Sequence, residues 1–150
     1  MLRFLDILFS FLGLIVLSPL LVLLCLWVKF DSAGPIFYIQ KRVGLNGIDF
    51  NLFKFRSMRV NADKLGLLTV GGRDPRITNS GFYIRKYKMD ELPQLFNVLV
   101  GDMSLVGPRP EVRKYVDLYN EEQLKVLSVR PGITDEASIA FRNENEMRYV

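Results

Sequence analysis

Hydrophobic and polar positions divide the chain into an apolar first part and a patterned remainder. From Ile7 to Val28 the chain has 22 residues without a charge, and most of them are Leu, Ile, Val or Phe. A straight helix of that length spans about 33 Å, which is enough for the hydrocarbon core of a bilayer. The first segment is therefore predicted to be a membrane element.

Three arrangements of this segment are considered. A cleaved signal peptide fits poorly, because Asp6 offsets Arg3 and no small-residue cleavage site follows. A single straight span fits by length. However, Ser18-Pro19 lies in the middle, and proline removes a backbone donor and favours a kink, which would give a re-entrant helical hairpin with both ends on one face. Positive residues flank both ends, so from the residues alone the span and the hairpin stay equally open.

The remainder alternates in ways that predict strands and helices of an α+β domain. Residues 35–39 are β-prone, 44–47 are typical of a turn, and 48–55 alternate apolar and polar residues, so a β-hairpin is expected. Residues 90–99 predict a helix with Asp90 as its N-cap. Apolar residues near helical spacing between 111 and 127 predict another helix, expected to pack mostly on the core.

Composition limits the chemistry. The chain has one cysteine, Cys25, and no histidine. An intramolecular disulfide, a Ser-His or Cys-His nucleophile pair, a histidine general base and a His-bound zinc are therefore excluded. Any reaction must depend on carboxylates, lysine, arginine, tyrosine, hydroxyl groups or a metal bound by oxygen ligands.

Charge is distributed unevenly. Residues 1–28 have no net charge, residues 29–89 carry 12 Lys and Arg against 4 Asp and Glu, and residues 90–150 carry 7 against 11. The basic middle is either a solvated face attracted to anionic lipid headgroups or a site for phosphate or diphosphate. Charge counting does not separate these two. No nucleic-acid recognition motif is present, so a nucleic-acid partner is not expected.

Asp90-Glu91 and Arg109 are the candidate chemical groups. The acidic pair at a helix start can simply cap the helix, or it can supply a nucleophile or a ligand for a hard cation such as Mg²⁺. A helix N-terminus and neighbouring cations are expected to favour ionised Asp90. Arg109 lies between Pro108 and Pro110, in a stiff segment that suits phosphate binding or an ordinary turn.

The stretch from Leu68 to Glu111, LTVGGRDPRITNSGFYIRKYKMDELPQLFNVLVGDMSLVGPRPE, resembles the core of the bacterial sugar transferase family. These are the monotopic polyprenyl-phosphate sugar-1-phosphate transferases, or small phosphoglycosyl transferases. Further matching segments occur in the same order along the chain, namely Ser18-Pro19, 40–44, 54–58 and 129–134. The resemblance thus extends over nearly the whole chain.

The resemblance implies a re-entrant membrane helix over 1–30, broken at Ser18-Pro19, and a small mixed helical and β catalytic domain over 31–150 at the membrane surface. It also implies transfer of a sugar-1-phosphate from a nucleotide diphosphate sugar, commonly a UDP-sugar, to polyprenyl phosphate. Such a reaction initiates bacterial glycan synthesis. The location implied is the cytoplasmic face of the inner membrane, and a homodimer is left open.

The resemblance assigns roles to individual residues. Asp90 is implied to be the nucleophile that forms a covalent phosphosugar intermediate, with Glu91 as its partner and Asp90 also the protein ligand of Mg²⁺. The substrate phosphates are implied to bind Lys54, Arg85 and Arg109.

Two departures from the family accompany the match. Residues 135–138 and 141–144 differ from the Gly-Leu-Ala-Gln-like and Asn-Gly-Arg segments of many members, so sugar recognition is not inferred from them. The chain ends at Val150, some dozens of residues earlier than is usual, so a C-terminal truncation is expected. The alternatives are a catalytically inactive membrane-anchored module that binds anionic lipid, and a phosphatase that forms an aspartyl-phosphate.

Overall fold

A computed structural model describes residues 2–65 and 74–135 of the chain. A long helix precedes a β-hairpin and a set of short elements. The helices are α1 (Leu2–Asp31), α2 (Asn79–Lys86), α3 (Gln94–Val100), α4 (Arg113–Val116) and α5 (Glu121–Leu124). The strands are β1 (Phe37–Val43), β2 (Asp49–Phe55), β3 (Ser104–Val106) and β4 (Gly132–Thr134). Single 3-10 turns occur at Leu45–Gly47, Ala62–Leu65, Met89–Glu91 and Lys125–Ser128.

Helix α1 runs through Ser18 and Pro19 as one helix, so a sharp break does not divide it into two helices. Proline lacks the N–H that would bond the carbonyl of Ile15, four residues earlier. The Ser18 hydroxyl donates to that carbonyl at 2.7 Å instead. The serine thus satisfies the acceptor that the proline leaves free, and the re-entrant arrangement stays a prediction.

Most of the surface of α1 is apolar and exposed. Its buried residues are Asp6, Ser10, Leu24 and Val28, whereas fifteen large apolar side chains are exposed. By length and composition the helix could cross a membrane, with a hydropathy of 2.8 over its most apolar window. An apolar surface this large is unfavourable in water, and it marks a membrane or partner surface.

The first turns of α1 are bonded to the rest of the protein. The Arg3 guanidinium donates to the carbonyl of Val98, near the C-terminus of α3, at 2.6 Å. Asp6, of which only 9% of the surface is exposed, accepts a hydrogen bond from the Ser104 hydroxyl at 2.7 Å. Arg3 and Asp6, whose charges offset each other in the sequence, therefore attach the start of α1 to α3 and β3.

The other end of α1 is fixed to the same domain. Arg56, which follows β2, donates to the carbonyl of Ser32 at 2.7 Å and to that of Val28 at 3.3 Å. The Asp31 carboxylate accepts hydrogen bonds from the backbone N–H of Ser80 at 2.8 Å and from its hydroxyl at 2.9 Å. Both ends of the long apolar helix thus contact one polar domain.

Two small apolar clusters support the domain. One joins α1 to the end of β2 and to α2, and it consists of Leu24, Val28, Phe55 and Ile84. The other joins β2 to α3 and the segment after it, and it consists of Leu52, Val98 and Met103.

Strands β1 and β2 pair antiparallel, with Tyr38 opposite Lys54, and β3 pairs parallel with β4. Strand β2 thus contributes Phe55 to the first cluster and Leu52 to the second, and it carries Lys54 between them.

The predicted hairpin is confirmed, with small shifts of its ends. The first strand begins at Phe37 and extends to Val43, beyond the range 35–39, and the second occupies Asp49–Phe55. The turn at 44–47 contains a 3-10 turn in which Asn46 has a φ of 56°. The short parallel pair of β3 and β4 was not predicted. The segments at 71–73 and after residue 135 lie outside the described residues.

The predicted cap at Asp90 is wrong. Asp90 lies within the 3-10 turn Met89–Glu91, and α3 begins only at Gln94, after Pro93. The backbone N–H of Leu92 bonds to Met89 three residues back, and Pro93 has no N–H to continue the series. The acidic pair therefore precedes the α-helix by a full turn, and its side chains are not used as helix caps.

The predicted helix over 111–127 is also corrected. It is divided into α4, α5 and a 3-10 turn, because Asn120 forms a capping box with Gln123 and starts a new helix. Val116 is buried, but Leu118 is 78% exposed and Leu124 43% exposed. At the other positions with helical spacing, Val112, Tyr119 and Leu127 are half-buried, so the expected packing on the core is confirmed only in part.

Candidate active site

Five predicted site residues come together around one cavity. Asp90 and Glu91 lie in the 3-10 turn between α2 and α3, Lys54 lies near the end of β2, Arg85 in the last turn of α2, and Arg109 in the loop after β3. All five line an open cavity of about 610 Å³. Ser18 and Pro19 are not among the residues that line it. The sequence motifs thus converge on one place, apart from the membrane segment.

Helix α2 is held close to the strand that carries Lys54. The Thr78 hydroxyl caps the helix by accepting from the N–H of Gly81 at 3.0 Å. The N–H of Thr78 donates to the carbonyl of Ser57 at 3.1 Å. A Cβ on Gly81 would overlap the Ser57 backbone, so only glycine permits this approach. The close contact places the last turn of α2, with Arg85, on the cavity wall.

Asn97 fixes the opposite side of the site. Its side chain is fully buried and pairs with the free edge of β2 as a neighbouring strand would. It accepts from the N–H of Phe53 at 3.1 Å and donates to the carbonyl of Asn51 at 2.8 Å. Because α3 follows the acidic turn directly, this pairing sets where Lys54 meets that turn.

Glu91 is paired with two cations. Its Oε1 lies 3.0 Å from the Lys54 ammonium and 3.2 Å from the Arg109 guanidinium. Burial opposes ionisation of Glu91, but Lys54, Arg109 and Lys88 outweigh it, so its pKa lies below the ordinary value. Glu91 therefore forms an ionic bridge between Lys54 and Arg109.

Asp90 has a different environment. Within residues 2–65 and 74–135, its carboxylate makes no side-chain hydrogen bond or ion pair. Burial raises its pKa, and the charge of Glu91 raises it further, against the opposing effect of Lys54 and Arg85. The expectation that the surroundings favour ionised Asp90 is thus reversed in direction. An unpaired, partly buried carboxylate keeps its oxygens available for phosphorus or for a cation.

The cavity contains more cations than the sequence singled out. Besides Lys54, Arg85 and Arg109, it is lined by Arg42, Arg56, Arg59, Arg76 and Lys88. For Arg42 a signal was present, because the alternation of β1 places Tyr38, Gln40 and Arg42 on one face. For the others the sequence offered their place in the basic middle segment and, for Arg56, Arg76 and Lys88, their place in segments that resemble the family.

Several of these cations are already engaged. Arg42 donates to the Gln40 side chain at 2.7 Å, and Arg76 pairs with Asp74 at 2.6 Å. Arg59 and Lys88 are exposed, and they have no hydrogen-bonded or ionic side-chain partner among the described residues. The wall of the cavity therefore combines fixed and unengaged positive charge.

The donor set fits a magnesium ion that is bound partly by substrate. In the described part of the chain, no group of three or more acidic, cysteine or histidine side chains could hold a metal alone. Mg²⁺ commonly uses one or two carboxylates, with substrate phosphates and waters as the other ligands. Asp90 offers an unpaired carboxylate, whereas Glu91 is occupied by Lys54 and Arg109.

Sequence comparisons relate the chain to a family of sugar transferases. A family model described as bacterial sugar transferase matches residues 1–149. The chain is 43% identical over 140 residues to the UDP-N-acetylgalactosamine-undecaprenyl-phosphate N-acetylgalactosaminephosphotransferase of Aeromonas hydrophila, a match that covers 91% of this chain and 33% of that protein. It is 41% identical over 144 residues to the UDP-glucose:undecaprenyl-phosphate glucose-1-phosphate transferase of Xanthomonas campestris pv. campestris, covering 93% of this chain and 30% of that protein.

A third relative is closer in length. The exopolysaccharide production protein ExoY of Sinorhizobium fredii is 40% identical over 157 residues, with 95% of this chain and 70% of that protein covered. The chain spans only about a third of the Aeromonas and Xanthomonas proteins. The family match over nearly every residue, together with the acidic turn inside a cation-lined cavity, leads to one conclusion: this chain belongs to the bacterial sugar transferase family.

Proposed function

We propose that the chain is a phosphoglycosyl transferase that moves a sugar-1-phosphate from a nucleotide diphosphate sugar to polyprenyl phosphate. The observation that carries the proposal is Asp90, an unpaired carboxylate in a cavity lined by eight Lys and Arg side chains. The names of the Aeromonas and Xanthomonas relatives, which act on undecaprenyl phosphate, support the same substrates. Both names include UDP, so a UDP-sugar is the proposed donor.

In the first half-reaction, an Asp90 carboxylate oxygen attacks the phosphorus that bears the sugar. A new bond forms between that oxygen and phosphorus, the bond to the bridging oxygen of the diphosphate breaks, and the nucleoside monophosphate leaves with the electron pair. Asp90 then carries the sugar phosphate as an acyl phosphate. Arg85 and Lys54 neutralise charge on the substrate phosphates at the moment of transfer.

In the second half-reaction, a phosphate oxygen of the lipid attacks the same phosphorus. The bond to Asp90 breaks, the carboxylate is restored, and the lipid diphosphate sugar forms. Neither nucleophile has to lose a proton, since both are anions, so a chain without histidine can perform both steps. Magnesium bound at Asp90 and the diphosphate would supply charge neutralisation for the phosphates.

Membrane placement is part of the proposal. Arg3 and Asp6 fix the start of α1 to the domain, and Asp31 and Arg56 fix its end. A helix of this length extends about 45 Å if straight, so a domain that contacts both ends must lie along it. This supports a monotopic arrangement in which both ends of α1 lie on the cytoplasmic face of the membrane.

Topology can be tested by labelling. A single cysteine placed at Leu2 and another at Phe30, each in a Cys25→Ser background, should react with a membrane-impermeant thiol reagent only when the cytoplasmic face is open. Labelling of the two positions from opposite faces would show a straight crossing and remove the monotopic proposal.

Activity is tested with protein purified in detergent, Mg²⁺, a panel of UDP-sugars and a polyprenyl phosphate. With the correct donor and no acceptor, about one equivalent of UMP per protein is expected, and a mass increase on the peptide that contains Asp90. Adding the acceptor should give steady UMP release and a lipid diphosphate sugar. Release of inorganic phosphate without a lipid product would favour a phosphatase.

The Asp90→Asn variant should release no UMP above background. Because burial disfavours the ionised side chain, this variant should keep or increase its melting temperature, which separates loss of chemistry from loss of fold. The matched control is Asp117→Asn, at an exposed aspartate of the loop after α4, which should retain wild-type rates. UMP release by the Asp90→Asn protein at the wild-type rate would reject Asp90 as the nucleophile.

A further inference from the structure

Lys88 has an unusual backbone conformation for its residue type. Its φ is 54° and its ψ is 26°, in the left-handed region, one residue after the end cap of α2. Its N–H donates to the carbonyl of Arg85 at 3.1 Å, which closes the helix end. Glycine or asparagine is the usual residue at such a position, and a lysine there makes the fold less stable.

The side chain of Lys88 lines the cavity and makes no hydrogen bond or ion pair among the described residues, although its charge acts on Glu91 through space. Five of the eight cations that line the cavity have hydrogen-bonded or ionic partners: Arg42, Lys54, Arg56, Arg76 and Arg109. Of the remaining three, Arg85 acts on Asp90 and Lys88 acts on Glu91 through space, and Arg85 is half-buried. Arg59 and Lys88 are left exposed, and neither has a hydrogen-bonded or ionic side-chain partner among the described residues.

The proposed reaction requires cations of this kind. Phosphoryl transfer proceeds with the attacking and leaving oxygens roughly in line. In the first half-reaction the nucleotide leaves from the side opposite Asp90. In the second half-reaction the lipid phosphate must approach the acyl phosphate from that same side. Two phosphate monoesters of similar charge therefore use one region of the cavity in turn.

We propose that Lys88 and Arg59 form a phosphate-monoester subsite that binds the departing nucleotide phosphate first and the phosphate of the lipid acceptor afterwards. The inference rests on the proposed function for the order of the two ligands. Both ligands offer the same chemistry, a terminal phosphate with at least one negative charge, and exposed cations that form no ion pair or hydrogen bond with a protein side chain are suited to it.

Binding without turnover tests the subsite. Equilibrium binding of UMP and of a short-chain polyprenyl phosphate is measured separately in the Asp90→Asn protein, alone and combined with Lys88→Gly, Lys88→Asn or Arg59→Gln. Each substitution should lower the binding affinity for both ligands by roughly tenfold, since a charge-assisted hydrogen bond is lost. Lys88→Gly should at the same time raise the melting temperature, because glycine relieves the left-handed strain.

The matched control is Lys86→Gln. Lys86 lies in the last turn of α2, 5.8 Å from the ring of Tyr87, and it is not among the residues that line the cavity. Its substitution should leave both affinities unchanged, so that a general effect of positive charge near the membrane is distinguished from a specific subsite.

Three outcomes overturn the proposal. They are unchanged affinity for both ligands in the Lys88 and Arg59 variants, a loss confined to UMP or to the lipid phosphate, and an equal loss in Lys86→Gln. If both affinities fall as expected but the unsubstituted protein releases no UMP from any nucleotide sugar, the subsite stands and the proposed function fails. The two hypotheses are thus separated by measurements on the same set of proteins.

Discussion

The ends of α1 and the wall of the cavity use the same residue types in opposite ways. At the ends of the helix, buried Asp6 accepts from the Ser104 hydroxyl, and Arg56, which also lines the cavity but is only 5% exposed, donates to main-chain carbonyls. In the cavity, Asp90 and Lys88 have no ionic or hydrogen-bonded side-chain partner among the described residues. The number of internal partners therefore separates charges that hold the fold from charges that remain available to a ligand.

This difference has a thermodynamic consequence. A buried charge with hydrogen-bonded partners supports the native state, whereas a partly buried charge without them destabilises it until a ligand arrives. Substitutions in the two regions should accordingly move stability in opposite directions.

Arg56→Met should lower the free energy of unfolding by about 3 kcal/mol, because several carbonyls at the end of α1 lose their donor together. Arg59→Met, three residues later at an exposed position, should change it by less than about 0.5 kcal/mol. Urea unfolding of the two variants in detergent micelles measures both values. If Arg59→Met proved the more destabilising, partner number would not distinguish the two regions.

Asp6→Asn should lower the free energy of unfolding by about 2 kcal/mol, since charge-assisted hydrogen bonds to Ser104 and to the N–H of Leu105 are weakened. Hydrogen exchange should increase in the first turns of α1 and in β3. Asp117→Asn, at an exposed site, serves as the control and should show neither change. Unchanged exchange at both elements would contradict the proposed attachment of the helix start.

The sequence pattern predicted those secondary-structure elements that are determined by residues close together in the chain. The hairpin of β1 and β2 follows from strand alternation around a glycine-containing turn, and both signals lie within twenty residues. The parallel pair of β3 and β4 depends instead on bonds such as that from the N–H of Ser104 to the carbonyl of Pro131, between distant segments. Two three-residue strands offer no periodicity that could have indicated it.

For the candidate site, too, the sequence predicted the residues but not the contacts between them. Motif resemblance identified Asp90, Glu91, Lys54, Arg85 and Arg109, and all five line one cavity. The sequence could not show that Glu91 binds two of these cations while Asp90 remains unpaired, because that difference depends on distances between residues far apart in the chain. The sequence-based expectation for the pKa of Asp90 was also wrong in direction. It assumed that Asp90 starts a helix, whereas Asp90 lies in a 3-10 turn before α3, and the burial that raises its pKa arises from tertiary contacts.

The acid limb of nucleotide release offers a finer test of the cavity. Asp90 must be ionised to attack, so with its pKa raised, the rate falls as pH decreases at a higher pH than for an ordinary aspartate. Glu91→Gln removes a charge that raises this pKa, and the limb should move to lower pH. Lys54→Met removes a charge that lowers it, and the limb should move to higher pH.

Each shift should be about one pH unit, equivalent to about 1.4 kcal/mol. The measurement is the single-turnover rate of UMP release as a function of pH across the acid limb. Both variants are expected to be slower than wild type, so the position of the limb is compared and the amplitude is not. Shifts of the same sign in the two variants would show that the limb does not report Asp90.

The smallest expected effect concerns a polar contact within α1 itself, the hydrogen bond from the Ser18 hydroxyl to the carbonyl of Ile15. Ser18→Ala should lower stability by about 1 kcal/mol, because the carbonyl of Ile15 loses its donor next to Pro19. In a Pro19→Ala background the same change should have almost no effect, since the introduced alanine supplies a backbone N–H that can bond to Ile15 as in any helix. A double-mutant cycle on unfolding in micelles measures this coupling. Equal losses in both backgrounds would mean that the serine does not substitute for the missing proline donor, and the continuity of α1 would then need another cause.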